Sequence, residues 1–122
     1  MLKILVVDDS IIMRKTLVEI FESLGHKVIA EANDGYEAIK KYQQYQPDLT
    51  TMDITMPTRN NITNGVDALE QIKLFNSYAK VAMITSHGEE ELVMNSIQLG
   101  AKGYLLKPIT NDKVVELLNK IF

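Results

Sequence analysis

The sequence predicts an α/β domain of five βα units, a doubly wound parallel five-stranded sheet with helices on both faces. Two observations support this fold class. Short apolar runs alternate with longer stretches of helical periodicity five times along the chain, and the runs are apolar on both faces, as buried parallel strands are. A regular βα alternation also implies right-handed crossovers, which lay each helix against the sheet.

The predicted strands are short runs rich in valine, isoleucine and leucine. Asp8-Asp9 follows the first run, Gly25-His26 precedes the second, and Pro47 lies just before the third. Such turn-forming residues delimit strands because they favour conformations outside a sheet. The predicted strands are Lys3–Val7, Val28–Ala32, Leu49–Ile54, Val81–Thr85 and Tyr104–Leu106.

The intervening stretches predict amphipathic helices with recognisable ends. The first presents an apolar stripe from Met13 to Leu24, and Gly25 is a suitable C-terminal stop. Asp34 and Glu37 have the spacing of a capping box at the start of the second. The other predicted helices run from about Val66 to Phe75 behind a possible Asn64 cap, from Glu89 to Leu99, and from near Asn111 through Ile121.

Composition indicates one globular domain spanning residues 1–122. Hydrophobic residues make up 46% of the chain and charged residues 24%, and the net charge is −3. This mildly acidic balance, with scattered lysines, argues against direct nucleic-acid binding. The absence of cysteine excludes a disulfide framework and, with no recognisable export signal or membrane-spanning run, fits a cytoplasmic protein.

Charged and hydroxyl side chains are predicted to meet at one edge of the sheet. Asp8 and Asp9 follow the first strand, Asp53 lies at the end of the third, Thr85 ends the fourth and Lys107 follows the fifth. In open α/β sheets, ligands bind beyond the carboxyl ends of the strands. Each residue alone has an ordinary structural explanation as a turn, cap or strand-end residue, but their occurrence together at four strand ends indicates a site.

Three carboxylates close together repel one another and require a proton or a cation. Mg²⁺ suits this set because it prefers oxygen ligands and commonly binds carboxylates together with a phosphate. An aspartate can also attack phosphorus to form an aspartyl phosphate, whose oxygens a metal, an ammonium group and a hydroxyl would neutralise. Residue order alone leaves open which aspartate is the nucleophile.

Four motifs together resemble the receiver domains of two-component response regulators. The likeness spans nearly the whole chain. The motifs are Val6–Ser10 (VVDDS), Met52–Pro57 (MDITMP), Thr85-Ser86 and Lys107-Pro108. The Asp-Asp-Ser-x-x-Met-Arg run that begins the first helix is similar to chemotaxis regulators of the CheY type. The resemblance implies a flavodoxin-like, CheY-like sheet with strand order 2-1-3-4-5.

The resemblance also implies a role for each acidic residue. Asp53 is expected to be the phosphoacceptor. Asp9, Asp53 and the main-chain carbonyl of Thr55 are expected to bind Mg²⁺ directly, and Asp8 largely through water.

The remaining positions of the family pattern are a hydroxyl, a lysine and an aromatic residue. Thr85 is expected to bond one phosphoryl oxygen and Lys107 to pair with another, with a cis peptide bond between Lys107 and Pro108. Tyr104 matches the switch aromatic, which is expected to rotate inward when Thr85 moves toward the phosphoryl group. From the residues alone, Tyr104 is simply an aromatic side chain in a strand.

The implied function is a phosphorylation-controlled binding module, not an enzyme that acts on a separate substrate. A histidine kinase is the expected phosphodonor, and an output protein or effector domain is expected to bind the face formed by helix four, strand five and helix five. Neither direct nucleic-acid binding nor membrane insertion is expected. The domain is expected to be a monomer or a phosphorylation-dependent dimer, and the first-helix motif favours a free-standing regulator over a receiver fragment of a longer chain.

One loop departs from the family pattern in length, and the two histidines of the chain lie outside its motifs. The segment Pro57–Gly65 is about four residues longer than the corresponding receiver loop, and its length is consistent with a harmless surface excursion or with a modified rim over the phosphorylation site. His87 lies two residues beyond Thr85, where the family pattern borders the phosphoryl group, whereas His26 is expected to be a solvated turn residue.

Three alternatives remain open at this level. An Mg²⁺-dependent phosphohydrolase of the haloacid dehalogenase type usually carries Asp-x-Asp and a cap domain, whereas this chain has adjacent Asp8-Asp9. A flavin-binding module of the same topology would need a phosphate-cradling loop after the first strand, where two aspartates would repel phosphate. A receiver that has lost phosphorylation is disfavoured because every acidic and basic position is filled.

Overall fold

The computed structural model, which describes all 122 residues, has the predicted five βα units. Its strands are parallel and lie in the order β2-β1-β3-β4-β5. The fold class and strand order predicted above are therefore confirmed. The elements are β1 Lys3–Val7, α1 Ile11–Ser23, β2 Lys27–Ala32, α2 Gly35–Tyr45, β3 Leu49–Asp53, α3 Gly65–Phe75, β4 Val81–Thr85, α4 Glu90–Gln98, β5 Gly103–Leu106 and α5 Asn111–Ile121.

Two apolar cores lie on opposite faces of the sheet. Alternate residues of β1 point to opposite faces, so Ile4 and Val6 join one core while Leu5 and Val7 join the other. The first core contains buried residues of α1 and α5, and the second contains buried residues of α2, α3 and α4. Each helix therefore buries its apolar stripe against the sheet, as the doubly wound arrangement requires.

Side chains predicted to cap helices do so. The Asp34 carboxylate accepts a hydrogen bond from the Glu37 N–H at 2.8 Å, and the Asn64 side chain accepts from the first turn of α3. The Glu37 carboxylate, however, accepts from the Asn33 N–H, one residue before the N-cap position. These bonds satisfy backbone donors that an α-helix leaves unpaired, and they hold the loops at the functional edge of the sheet.

The strands differ from the sequence prediction mainly at their ends. β3 ends at Asp53, although Ile54 stays buried and its N–H donates to Ile84 O at 3.0 Å. β2 is an edge strand, and among its residues only Ala32 is buried. Its apolar run did not reveal this, because an edge strand and a central strand differ in their neighbours rather than in their composition.

The prediction that His26 is a solvated turn residue is wrong. His26 is partly buried, and its Nδ1 accepts a hydrogen bond from the Leu2 N–H at 3.0 Å. The imidazole thus pairs a backbone donor just before β1, a contact between residues far apart in the chain that sequence alone does not show. Among the helices, none has both the length and the apolar character that spanning a bilayer requires.

Candidate functional site

Three carboxylates meet where β1 and β3 end. One carboxylate oxygen from each of Asp8, Asp9 and Asp53 lies within 4.8 Å of the others. Asp8 is 0% exposed and Asp53 4%, whereas Asp9 is open to solvent. Adjacent parallel strands β1 and β3 end side by side, so the topology itself brings these acids together.

Lys107 joins this acidic cluster from the end of β5. Its Nζ lies 3.4 Å from Asp53 Oδ1 and 3.7 Å from Asp8 Oδ2. The Lys107 N–H donates to Thr85 O at 2.8 Å, which anchors the residue to the end of β4. The peptide bond from Lys107 to Pro108 is cis, as the resemblance implies.

Burial and mutual repulsion raise the pKa values of both buried acids. Burial and, after it, the charge of the Asp8 carboxylate raise the pKa of Asp53 to about 7, although Lys107 opposes both effects. Burial likewise raises the pKa of Asp8 above its ordinary value, against the Ser10 N–H and Lys107. Burial works to lower the pKa of Lys107, but Asp53 and Asp8 outweigh it and raise that pKa. One ammonium group therefore does not fully compensate these buried carboxyl groups.

The two oxygens of Asp8 have different surroundings. Oδ1 accepts a hydrogen bond from the Ser10 N–H at 2.9 Å, and the Asp8 main-chain carbonyl accepts from the Arg14 guanidinium at 2.7 Å. Oδ2 is buried and accepts no hydrogen bond. A buried carboxylate oxygen that accepts no hydrogen bond, with Lys107 Nζ 3.7 Å away and two further carboxylates beside it, matches the all-oxygen ligand set of a hard divalent cation.

Thr85 ends β4 at this edge, but its hydroxyl is bonded to a different carboxylate. It donates to Glu89 Oε1 at 3.0 Å, and the Ser86 N–H donates to the same oxygen at 2.6 Å. The hydroxyl of Thr55, which follows β3, donates to Glu89 Oε2. Glu89 thus joins the hydroxyl groups of Thr85 and Thr55, and the Thr85 hydroxyl donates to Glu89 instead of to Asp53.

Tyr104 lies on β5 and is 53% exposed. Tyr104, Thr85 and His87 line one pocket of about 320 Å³, which α4 also borders. His87 is exposed and lines the same pocket. The structure therefore places the hydroxyl and the aromatic residue of the expected switch on one cavity.

Gly65, the first residue of α3, lies directly against Asp53. Its N–H donates to Ile54 O at 2.7 Å, and a Cβ at this position would lie 2.1 Å from the Asp53 main-chain oxygen. Only a residue without a side chain allows α3 to begin this close to the end of β3.

The long loop folds onto the start of α2. Arg59 and Ile62 pair through two backbone hydrogen bonds, and the asparagines between them have positive φ angles of 52° and 67°, which asparagine tolerates better than most residues. The Arg59 guanidinium lies 3.3 Å from Asp34 Oδ2 and stacks 4.9 Å from the centre of the Tyr36 ring. The turn of this loop is thus an ordered surface feature that contacts α2.

Two residues of the site escaped the sequence prediction. Glu89 was predicted only as a helix-start acid, and Arg14 was part of a first-helix motif without a contact of its own. Their positions depend on side-chain directions at strand ends, which residue order does not give. The sequence signal available was the run of three acids at residues 89–91, shortly after the Thr85-Ser86 pair.

Comparison with known proteins agrees with this geometry. The family model described as the response regulator receiver domain matches residues 4–119. Among curated proteins, the chain is 42% identical to the chemotaxis protein CheY of Bacillus subtilis over 118 residues, covering 97% of this chain and 95% of that protein. It is 40% identical to CheY of Thermotoga maritima, with 98% and 96% coverage.

Solved structures give the same result. The chain is similar to one in the crystal structure of the CheX–CheY–BeF3–Mg²⁺ complex from Borrelia burgdorferi, with a TM-score of 0.90 and 38% sequence identity. The match covers 98% of this chain and 88% of that chain.

The buried acid predicts how stability depends on pH. Between pH 3.8, the ordinary pKa of Asp53, and its folded pKa of about 7, the folded state retains a proton that the unfolded state has lost. The free energy of unfolding without divalent cations should therefore fall as pH rises through this window. Asp53→Asn should reduce the slope and raise the free energy of unfolding at pH 8 by roughly 2 kcal/mol.

Urea unfolding in the presence of a chelator measures this effect, with the exposed Asp112→Asn as the control for loss of one acid. If Asp53→Asn were less stable than the wild type at pH 8, the pairing with Lys107 would outweigh burial and the electrostatic account would be wrong.

The close approach of Gly65 predicts a steric effect. Gly65→Ala should lower the free energy of unfolding by roughly 1–3 kcal/mol, although alanine is the better helix former, because the new Cβ meets backbone that must shift. Gly103→Ala is the matched control, since its Cβ would meet the end of the Leu117 side chain at 2.8 Å, which can rotate. Equal stability of both variants in urea unfolding would contradict the proposed contact with Asp53.

Proposed function

This chain belongs to the response regulator receiver family, and on that basis we propose that residues 1–122 form a receiver domain whose Asp53 accepts a phosphoryl group with Mg²⁺. The observation that supports this proposal is the acidic cluster with Lys107 beside it. Three carboxylates lie within 4.8 Å of one another, and the ammonium group lies 3.4 Å from Asp53. Such a cluster is compatible with burial only when a cation or a proton compensates it.

The acidic cluster fits Mg²⁺ by its chemistry. Asp9 and Asp53 would hold the ion with the main-chain carbonyl of Thr55, and Asp8 would act largely through water. The buried Asp8 Oδ2, which accepts no hydrogen bond, supports this assignment. When bound, Mg²⁺ would neutralise charge on the carboxylates and on the phosphoryl oxygens.

The proposed reaction is transfer from a phosphohistidine of a histidine kinase. A carboxylate oxygen of Asp53 forms a bond to phosphorus as the bond from phosphorus to the imidazole nitrogen breaks, and the electron pair returns to the imidazole. Lys107 Nζ, already 3.4 Å from Asp53 Oδ1, would pair with one phosphoryl oxygen. The Thr85 hydroxyl would donate to another after leaving its present partner. In this proposal the domain is a switch that assists its own phosphorylation and dephosphorylation.

The proposed readout of phosphorylation lies on the side of the domain where α4, β5 and α5 meet. Movement of Thr85 toward a phosphoryl group would vacate part of the pocket of about 320 Å³ that Tyr104 also lines, and the aromatic ring would rotate inward. The half-exposed Tyr104 is the starting point of this change. The exposed apolar side chains that line pockets on this face are Met94, Ile97 and Tyr104.

Exposed apolar groups on one face are typical of a protein–protein interaction surface, so we assign this face to the output partner. The similarity to CheY proteins favours a chemotaxis-type regulator as the role of this domain. The proposed setting is the cytoplasm, because histidine kinases obtain their phosphoryl groups from ATP. The domain would act as a monomer or as a phosphorylation-dependent dimer. In either case, phosphorylation would shift the equilibrium between two conformations of the domain.

Phosphorylation by a small phosphodonor tests this function. With acetyl phosphate and Mg²⁺, the wild type should gain the mass of one phosphoryl group, and peptide mapping should place it on Asp53. Asp53→Asn should gain none, and Lys107→Ala should be labelled at least tenfold more slowly because its ammonium group stabilises the transferring charge. The exposed Asp112→Asn is the control and should be labelled like the wild type. Labelling of Asp53→Asn at another residue, or wild-type labelling that does not require Mg²⁺, would contradict the proposal.

A further inference from the structure

Glu89 occupies an unusual place for a residue at the start of a helix. It is the N-cap residue of α4, but its side chain does not cap that helix. The side chain instead turns back across the end of β4 and accepts hydrogen bonds from Thr85, Ser86 and Thr55. The Thr55 contact joins residues 34 positions apart, so it is not a product of the local turn.

One partner of Glu89, the Thr85 hydroxyl, is the donor that the proposed function assigns to a phosphoryl oxygen. The Thr85 hydroxyl and the Ser86 N–H converge on a single carboxylate oxygen, at 3.0 Å and 2.6 Å. Two donors aimed at one anionic oxygen form the kind of arrangement that binds a phosphoryl oxygen. Glu89 also lies close enough to Lys107 for the ammonium group to stabilise its charge.

These contacts favour the ionised form of Glu89. Donors from Thr55, Ser86 and Thr85 converge on its two oxygens, and an ionised carboxylate is the form that only accepts hydrogen bonds. The Glu89 carboxylate is therefore an anion bound to Thr85, a residue that the proposed function assigns to the more highly charged phosphoryl group on Asp53.

We propose that the Glu89 carboxylate is an internal competitor of the phosphoryl group, which holds the Thr85 and Ser86 donors until Asp53 is phosphorylated and then leaves. This inference rests on the proposed function of Asp53. A carboxylate and a phosphoryl group cannot share the same two donors, and their like charges repel each other. Glu89 is thus a positioning residue that opposes phosphorylation, and its departure accompanies the active state.

The competition links the phosphorylation site to α4. The Glu89 N–H donates to Ser86 O at 3.3 Å, and its carbonyl accepts from the Val93 N–H at 3.0 Å, so the residue is part of the first turn of the helix. When its side chain leaves Thr85 and Thr55, the start of α4 loses its side-chain hydrogen bonds to the end of β4 and to the segment that follows β3. The α4 end of the proposed partner surface would then be free to rearrange, in addition to any movement of Tyr104.

Binding of fluoroberyllate, BeF3⁻, in the presence of Mg²⁺ tests the competition, because this probe imitates a phosphoryl group without a chemical step. Glu89→Ala and Glu89→Gln should bind it on the order of tenfold more tightly than the wild type, since neither retains an anion that must be displaced. Glu91→Gln is the matched control, because it removes one acid from the same exposed first turn of α4 and should bind like the wild type.

A second measurement separates competition from a structural role. In ¹H–¹⁵N spectra recorded without BeF3⁻, the Ser86 amide signal should move in both Glu89 variants and stay unchanged in Glu91→Gln. Addition of BeF3⁻ should bring the Ser86 signal of wild type and variants to a common position, because the same anion then occupies the donor.

The outcomes separate this inference from the proposed function. Equal or weaker BeF3⁻ binding by both Glu89 variants, with Asp53-dependent binding by the wild type, would overturn the competition and leave the function of Asp53 intact. Failure of the wild type to bind BeF3⁻ with Mg²⁺ would overturn both. Thermal unfolding of each variant shows whether it is folded, and Glu89→Gln preserves the side-chain volume if Glu89→Ala is unstable.

Discussion

The electrostatic conflict among Asp8, Asp53 and Lys107 is the constraint on which the rest of the site depends. Two carboxyl groups are buried side by side, and one ammonium group at 3.4–3.7 Å does not compensate them fully, since the pKa of Asp53 remains near 7. Folding places these groups together because parallel strands β1 and β3 end at the same edge. The domain thus holds a cluster of acids whose repulsion a bound proton or a cation would relieve.

The same constraint explains the neighbouring backbone. Asp53 is the last residue of β3, and the start of α3 packs against its main-chain oxygen. Gly65 allows this close approach because it has no Cβ. Arg14 bonds the Asp8 carbonyl, and Asp8 accepts from the Ser10 N–H, so the first loop is fixed around its carboxylate. Such restraint keeps the acids in place despite their repulsion, as preorganised sites require.

Sequence reasoning predicted the fold and the composition of the site because both depend on simple rules. Alternating periodicity predicted the five βα units, and the strand-end rule selected Asp8, Asp53 and Lys107, which the structure brings together. The rule failed for contacts that depend on side-chain direction. It did not reveal that Thr85 bonds Glu89, or that His26 accepts a bond from the Leu2 N–H, because both pairings arise only when separate segments of chain pack.

The central claim is that a divalent cation relieves the repulsion within the acidic cluster, and Mg²⁺-dependent stability tests it most directly. The free energy of unfolding at pH 8 should rise with Mg²⁺ concentration in the wild type, by about 2.7 kcal/mol when Mg²⁺ reaches a hundredfold excess over its dissociation constant. In Asp53→Asn the same titration should give a much smaller rise. A wild-type stability that does not respond to Mg²⁺, or an equal response in Asp53→Asn, would contradict the account.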